Sequence, residues 1–156
     1  MIALGCDHAG FSLKEAVAKH LAAKGVAYQD LGTFSEESVD YPDYGFAVAQ
    51  AVASGACEKG ILICGTGIGI GIAANKVPGI RAALCNDLFS AQASREHNDA
   101  NVLTMGARII DEPLALQIVD RWLATEFAGG RHQRRIDKIT AIEEKMALET
   151  AARLEK

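Results

Sequence analysis

Residues 60–76 read GILICGTGIGIGIAANK. An apolar run, Ile61-Leu62-Ile63, ends at Cys64 and breaks at once into Gly65, Thr66, Gly67, Gly69 and Gly71, after which Ala73 and Ala74 resume helical character. A short apolar run stopped by glycine reads as a buried strand, and its sequel as the start of a helix. Such a turn presents free backbone N–H groups at a helix N-terminus, a ready site for an oxyanion or phosphate. A thiol stands beside it. The turn is not a dinucleotide fingerprint: counted from Gly65 the third glycine position is Ile70, and counted from Gly67 it is Ile72. A Walker loop needs Gly-Lys-Ser/Thr, which this stretch lacks. A purely structural tight turn uses glycines too, so the neighbours of Cys64 decide its meaning.

Outward from this turn the chain alternates strand and helix. Ile2 to Cys6 reads as a strand, and Ser12-x-x-Glu15 as a capping box opening a helix stopped at Gly25. Val26 to Leu31 is a second strand, followed by a polar loop through GTFSEESVDYPDYG and a helix that ends near Gly55. Ile61 to Cys64 is the third strand, and its helix runs toward Asn75. Arg81 to Cys85 is the fourth, with a helix from about Asp87 to His97; Val102 to Met105 is the fifth, with a helix from Pro113 to about Phe127. Beyond Gly129-Gly130 a last helix runs from Arg131 to the C-terminus. Strand and helix in strict alternation predict a parallel sheet of about five strands covered on both faces.

Composition narrows the class. With 156 residues, 49% of them hydrophobic and 23% charged, the chain predicts one domain with a real core. No apolar run approaches the ~18 residues of a membrane span, and no basic leader precedes the first strand. A net charge of −4 argues against nucleic acid as a partner. Four cysteines without a CxxC pair or finger spacing predict reduced thiols in a cytoplasm and no metal site.

Three predicted strands end in cysteine followed by polar or glycine residues: Cys6-Asp7-His8, Cys64-Gly65-Thr66 and Cys85-Asn86-Asp87. Ligands of open α/β sheets bind beyond the carboxyl ends of the strands. This predicts one crevice holding Asp7, His8, Cys64, Thr66 and Asn86, to which the helix after strand four is expected to deliver His97 and Asn98. Singly, Asp7 is as well read as a helix cap and His97 as a helix-end charge. A second constellation, Arg131-His132-Gln133-Arg134-Arg135, places Arg131, Arg135 and Lys138 on one stripe of the last helix. Paired guanidinium groups suit a phosphate dianion, and positive charge at a helix start opposes the macrodipole, so a structural reason is weak. Arg108, after strand five, is a further candidate at the same sheet edge.

Together GCDHAGF at the start, DYP at 40–42, GILICGTGIGIGIAANK, SREHNDANVLTMGAR and GGRHQRR resemble the type B ribose-5-phosphate isomerase family, which also holds galactose-6-phosphate and allose-6-phosphate isomerases. The resemblance runs from Met1 to about Lys145. It implies a single sugar-phosphate isomerase domain over residues 1–156, a Rossmann-like α/β/α sandwich. Its helix at 130–156 would reach a partner subunit in a homodimer or tetramer, with the active site shared between subunits. It further implies that no metal or organic cofactor takes part. By the same resemblance Cys64 is the base that moves a proton between C1 and C2, and Gly65, Thr66, Gly67, Ile68 and Gly69 cradle the enediolate. His97 opens the furanose ring, assisted by Asp7, with Thr66 as a helper. His8, Arg131 and Arg135 hold the phosphate, and Asn98 and Arg108 the sugar and phosphate from the partner side. Some members carry a glutamate base after the glycine loop and lack the cysteine. Here that position is Ile70, which places the chain with the cysteine type.

The chemistry agrees with the residues. Abstraction of a proton next to a carbonyl needs a base and donors aimed at the developing oxyanion, and cyclic sugar phosphates need a second group to open the ring. A thiol-nucleophile phosphatase would need an arginine shortly after the cysteine, and none lies between Cys64 and Lys76. A non-catalytic phosphosugar-binding module would need neither the thiol nor the histidine. Four- and six-carbon aldose phosphates fit the same scaffold and stand as alternatives to the five-carbon sugar.

Overall fold

Three apolar runs are buried along their whole length and make the centre of one sheet in the computed structural model, which describes residues 1–156. They are β1 (Ile2–Cys6), β3 (Lys59–Cys64) and β5 (Val102–Gly106); only Lys59 among them is not fully covered. Two three-residue strands of half-exposed residues, β2 (Tyr28–Asp30) and β4 (Ala82–Leu84), close the edges. The order is β2-β1-β3-β5-β4, and every pairing is parallel. Edge strands this short leave little unpaired backbone for a stray strand to template on.

The six helices are α1 (Phe11–Ala23), α2 (Tyr41–Ala53), α3 (Ile68–Ala74), α4 (Leu88–Glu96), α5 (Glu112–Ala124) and α6 (Arg131–Leu154). One buried cluster of 18 residues joins α1, α4 and α5 to one sheet face, with Leu4, Ile61, Ile63, Leu103 and Trp122 at its heart. A second, of 11 residues, joins α2 and α3 to the other face through Val48, Leu62, Ile70 and Val102. Moves along the sheet toward β2 and moves toward β4 must cross on opposite faces if each crossover is right-handed, and this sorts the helices. The expected single-domain α/β/α sandwich with five parallel strands and a long C-terminal helix is the fold observed. No helix is long and apolar enough to cross a membrane.

Three local expectations are corrected. The Ser12–Glu15 capping box does not form: α1 starts at Phe11, its N-cap is Gly10, and no side chain caps it. Asp7 Oδ1 instead accepts from Gly10 N–H at 3.1 Å, and the helix is entered at Gly10, ahead of Ser12. The loop expected through Gly45 is shorter, because Pro42 in the first turn and an extended Asp40 start α2 at Tyr41. The strands expected at 26–31 and 81–85 keep only three residues each, since each pairs with a single neighbour.

Candidate active site

Adjacent strands β1 and β3 send their chains to opposite faces of the sheet, which opens a crevice at their carboxyl ends. Asp7 N–H donates to Ile63 O at 3.2 Å, so Asp7 and Cys64 are neighbours across this seam. Cys64 is 4% exposed, and its Sγ accepts the Gly67 N–H at 3.2 Å. The turn that makes this contact requires glycine. Gly67 has φ +79°, and a β-carbon there would stand 2.5 Å from Leu84 Cδ1 and 2.8 Å from the Met105 carbonyl carbon. From below, Thr104 Oγ1 donates to Gly67 O at 2.8 Å. Thr66 Oγ1 accepts from Ile68 N–H at 3.2 Å, which leaves its own proton free for a ligand.

The other members of this edge converge on the same turn. Arg108 N–H donates to Gly65 O at 2.9 Å, and a β-carbon on Gly65 would meet Arg108 Nη1 at 3.1 Å, so the guanidinium lies over the cradle. His8 Nδ1 accepts the Val39 N–H at 3.1 Å. A backbone N–H only donates, so in the neutral ring the proton sits on Nε2, free to bind an anion or hydroxyl. Asp7, His8, Val39, Asp40, Tyr41, Pro42 and Asp43 line a cavity of about 480 Å³. Asp7 is 8% exposed and already holds Gly10 N–H. Asn86 stands at this edge too, beside the residue paired with Cys64: its Oδ1 accepts from Gly106 N–H at 3.0 Å and ties the β4–α4 turn to β5.

His97 and Asn98 do not join this edge of the chain. A helix that follows a parallel strand runs back along it, so the end of α4 lies at the amino edge of the sheet. Arg81, just before β4, donates through Nε to Asn98 O at 3.0 Å, and Gly60 N–H at the start of β3 donates to Asn101 O at 2.9 Å. From Gly60↔Val102 to Cys64↔Gly106 the paired strands advance four residues. At ~3.3 Å each this separates the two edges by about 13 Å.

The basic start of α6 belongs with His97. Ala128 N–H donates to Glu96 O at 3.1 Å, and the His132 ring stacks on His97 with centroids 4.5 Å apart and an interplanar angle of 17°. The chain therefore holds two clusters: Asp7, His8, Cys64 to Gly69 and Arg108 at the carboxyl edge, and His97, Asn98, Arg131, His132 and Arg135 at the amino edge. Arg108 stands with the thiol, at the sheet edge where its place after strand five puts it, and apart from Asn98. His132 lies below the ordinary histidine range through burial and then through Arg131, His97 and Arg135.

Three contributors were missed in the sequence. Tyr41 packs its ring on the cradle, where a β-carbon on Gly69 would stand 2.5 Å from Cε1, and the only signal was its place in DYP. Thr104 sits in a strand that reads as pure core, with nothing to mark its hydroxyl. His132 lay inside the basic run but was passed over for the arginines. No group of three or more His, Cys, Asp or Glu side chains is placed to hold a metal ion.

Comparison with known proteins follows the same lines. The family described as Ribose/Galactose Isomerase matches residues 2–139. Ribose-5-phosphate isomerase B of Escherichia coli (strain K12) is 56% identical over 144 residues, covering 92% of this chain and 97% of that protein. D-erythrulose-4-phosphate isomerase of Pectobacterium atrosepticum is 44% identical over 139 residues, covering 88% and 91%. The solved structure of Clostridium thermocellum ribose-5-phosphate isomerase B superposes with a TM-score of 0.92 at 56% identity, over 93% of this chain and 98% of that one.

Proposed function

The chain belongs to the ribose/galactose isomerase family, and from that premise we propose that it interconverts ribose 5-phosphate and ribulose 5-phosphate through an enediolate. The observation that carries this reading is the Cys64 thiol seated at the switch point with the Gly67 N–H on its sulfur and the glycine turn of residues 65–69 beside it. Ring opening comes first: the C1 hydroxyl gives up its proton, the ring oxygen takes one, and the C1–O bond breaks to leave an aldehyde. His97 performs this exchange, with Asp7 assisting. Cys64 as thiolate then removes the C2 proton, the electron pair moves into the C1–C2 bond, and the carbonyl oxygen becomes the enediolate oxygen. Within the 65–69 cradle the backbone N–H groups not already held by Cys64 and Thr66 receive that charge, with the Thr66 hydroxyl as a further donor. Return of the proton to C1, with the O2 proton passing to O1, yields the ketose. Oxidation at C2 balances reduction at C1, so no external redox partner enters.

The phosphate is held by His8, Arg131 and Arg135, and the sugar by Asn98 and Arg108. What supports a site built by two subunits is the separation of the clusters: a substrate that needs both Cys64 and His97 is served when the amino edge of one copy faces the carboxyl edge of another. A homodimer or tetramer with sites between copies follows, and α6 is the element that reaches across. Four unpaired cysteines support a reducing, cytoplasmic setting. A four-carbon aldose phosphate is the second reading, favoured by the 44% identity to the Pectobacterium erythrulose-4-phosphate isomerase.

The test is direct assay against four-, five- and six-carbon aldose phosphates. Wild type is expected to form ketose from ribose 5-phosphate, and Cys64→Ala to lose at least about a thousandfold in turnover while still binding the sugar phosphate. Full turnover by Cys64→Ala would move the base to another residue, and absence of ketose from every sugar would leave a binding module.

A further inference from the structure

His97 caps the C-terminus of α4 and is exposed, and His132 is the second residue of α6 and 9% exposed. Their rings stack almost in parallel at 4.5 Å. The backbone of His97 is tied to Ala93 O at 2.8 Å, but what orients its ring within the subunit is the stacked His132. An exposed imidazole at a helix end has several rotamers open to it. Proton transfer to a ring oxygen requires one, and small misplacements of an acting group are costly.

The charged groups facing the pair are Arg131 and Arg135 from α6 and Glu96 from α4. Two neutral imidazoles stack favourably, whereas two imidazolium ions at this spacing repel, and the nearby arginines add to that repulsion. A proton added to His132 beside these cations therefore works against the stack.

Resting on the reading that His97 opens the sugar ring, we propose that His132 is a positioning residue: a neutral ring that clamps His97 in its working orientation and releases it when protonated. His132 does not touch the reacting atoms. Burial, then Arg131, His97 and Arg135, favour its neutral form, and Glu96 opposes them. The clamp thus holds at neutral pH and fails on the acid side.

The experiment compares wild type, His132→Ala, His132→Phe and His97→Asn on ribose 5-phosphate, which is mostly cyclic, and on erythrose 4-phosphate, whose O4 is blocked and forms no furanose. His132→Ala is expected to lower kcat on ribose 5-phosphate by about tenfold or more with KM nearly unchanged, and to leave erythrose 4-phosphate turnover nearly intact. His132→Phe keeps a flat ring without a titrating nitrogen. It is expected to recover most of that loss and to hold its kcat to lower pH than wild type across about pH 5 to 8. Should the alanine variant not fold, as judged by circular dichroism, His132→Gln replaces it. Equal losses on both substrates, no loss on either, or no rescue by phenylalanine overturns the clamp. No ketose from wild type, or equal losses for His97→Asn on both sugars, overturns the ring-opening reading itself, and the clamp falls with it.

Discussion

Cys6, Cys64 and Cys85 all stand at or just past the carboxyl end of a strand, and only their surroundings separate them. Burial pushes the Cys6 thiol up to about 12, against the opposing charge of Lys14, and pushes Cys85 up to about 11, against a Ser94 contact. Both are core sulfurs, fully covered. Cys64 differs in facing a turn whose Gly67 N–H is already on its sulfur. The raised pair has a consequence for stability. A thiol that ionises near its ordinary 9.0 in the unfolded chain but only near 11 or 12 when folded keeps its proton longer in the native state. The native state then binds more protons across that window, so stability is whole below pH 9.0 and declines as pH rises toward 11–12. Urea unfolding across that range is expected to show this decline, and Cys6→Ala and Cys85→Ala each to flatten it relative to wild type. An unchanged slope in both variants would place the alkaline loss in other groups.

At the scale of elements, the helix starts show how a pattern that is right in kind is used differently in place. Ser12 and Glu15 carry the spacing of a capping box, yet α1 begins before Ser12 because Asp7 satisfies Gly10 N–H from the preceding turn. By contrast, the Asp111 side chain accepts from Leu114 N–H at 3.0 Å and caps α5, which packs Ile118, Val119 and Trp122 into the larger core cluster. Asp111→Ala is therefore expected to cost about 1 kcal/mol of stability and Ser12→Ala only a few tenths, read as shifts in the urea midpoint at constant slope. A Ser12→Ala loss as large as that of Asp111→Ala would mean that the box does form in solution. The helix α1 also buries Lys14 completely, with Nζ on both Asp30 oxygens at 2.8 Å and on Thr33 O at 2.6 Å. This lysine ties the loop that carries Val39 and Tyr41 to the rest of the fold. Nothing in the amphipathic pattern of α1 marks Lys14, because a lysine on the buried stripe is intelligible only once its carboxylate from another element is in view.

The whole molecule is where the two clusters part company, and there the decisive prediction lies. Cys64→Ala and the double variant Arg131→Ala/Arg135→Ala are each expected to be inactive. Unfolded together and refolded as an equal mixture, random dimers would be half mixed, and each mixed dimer would hold one intact site of two. Activity is expected to return to roughly a quarter of wild type. An inactive mixture in which mixed dimers are shown to form would assign the arginines to their own subunit. Read from sequence alone, this chain declared its layers, the three central strands, the thiol-and-glycine turn and the basic start of α6. Each of these is written in contiguous residues, as a hydrophobic period, a glycine that permits a left-handed turn, or a run of like charge. What the tertiary structure alone decided is which of those residues meet. His97 was expected at the thiol's edge of the sheet, but a helix returning along a parallel strand carries its end to the opposite edge, some strand-length away. Asn86 turned to the Gly106 N–H and His132 found His97, because partners far apart in the chain are chosen by crossover direction and strand order, which no local spacing records.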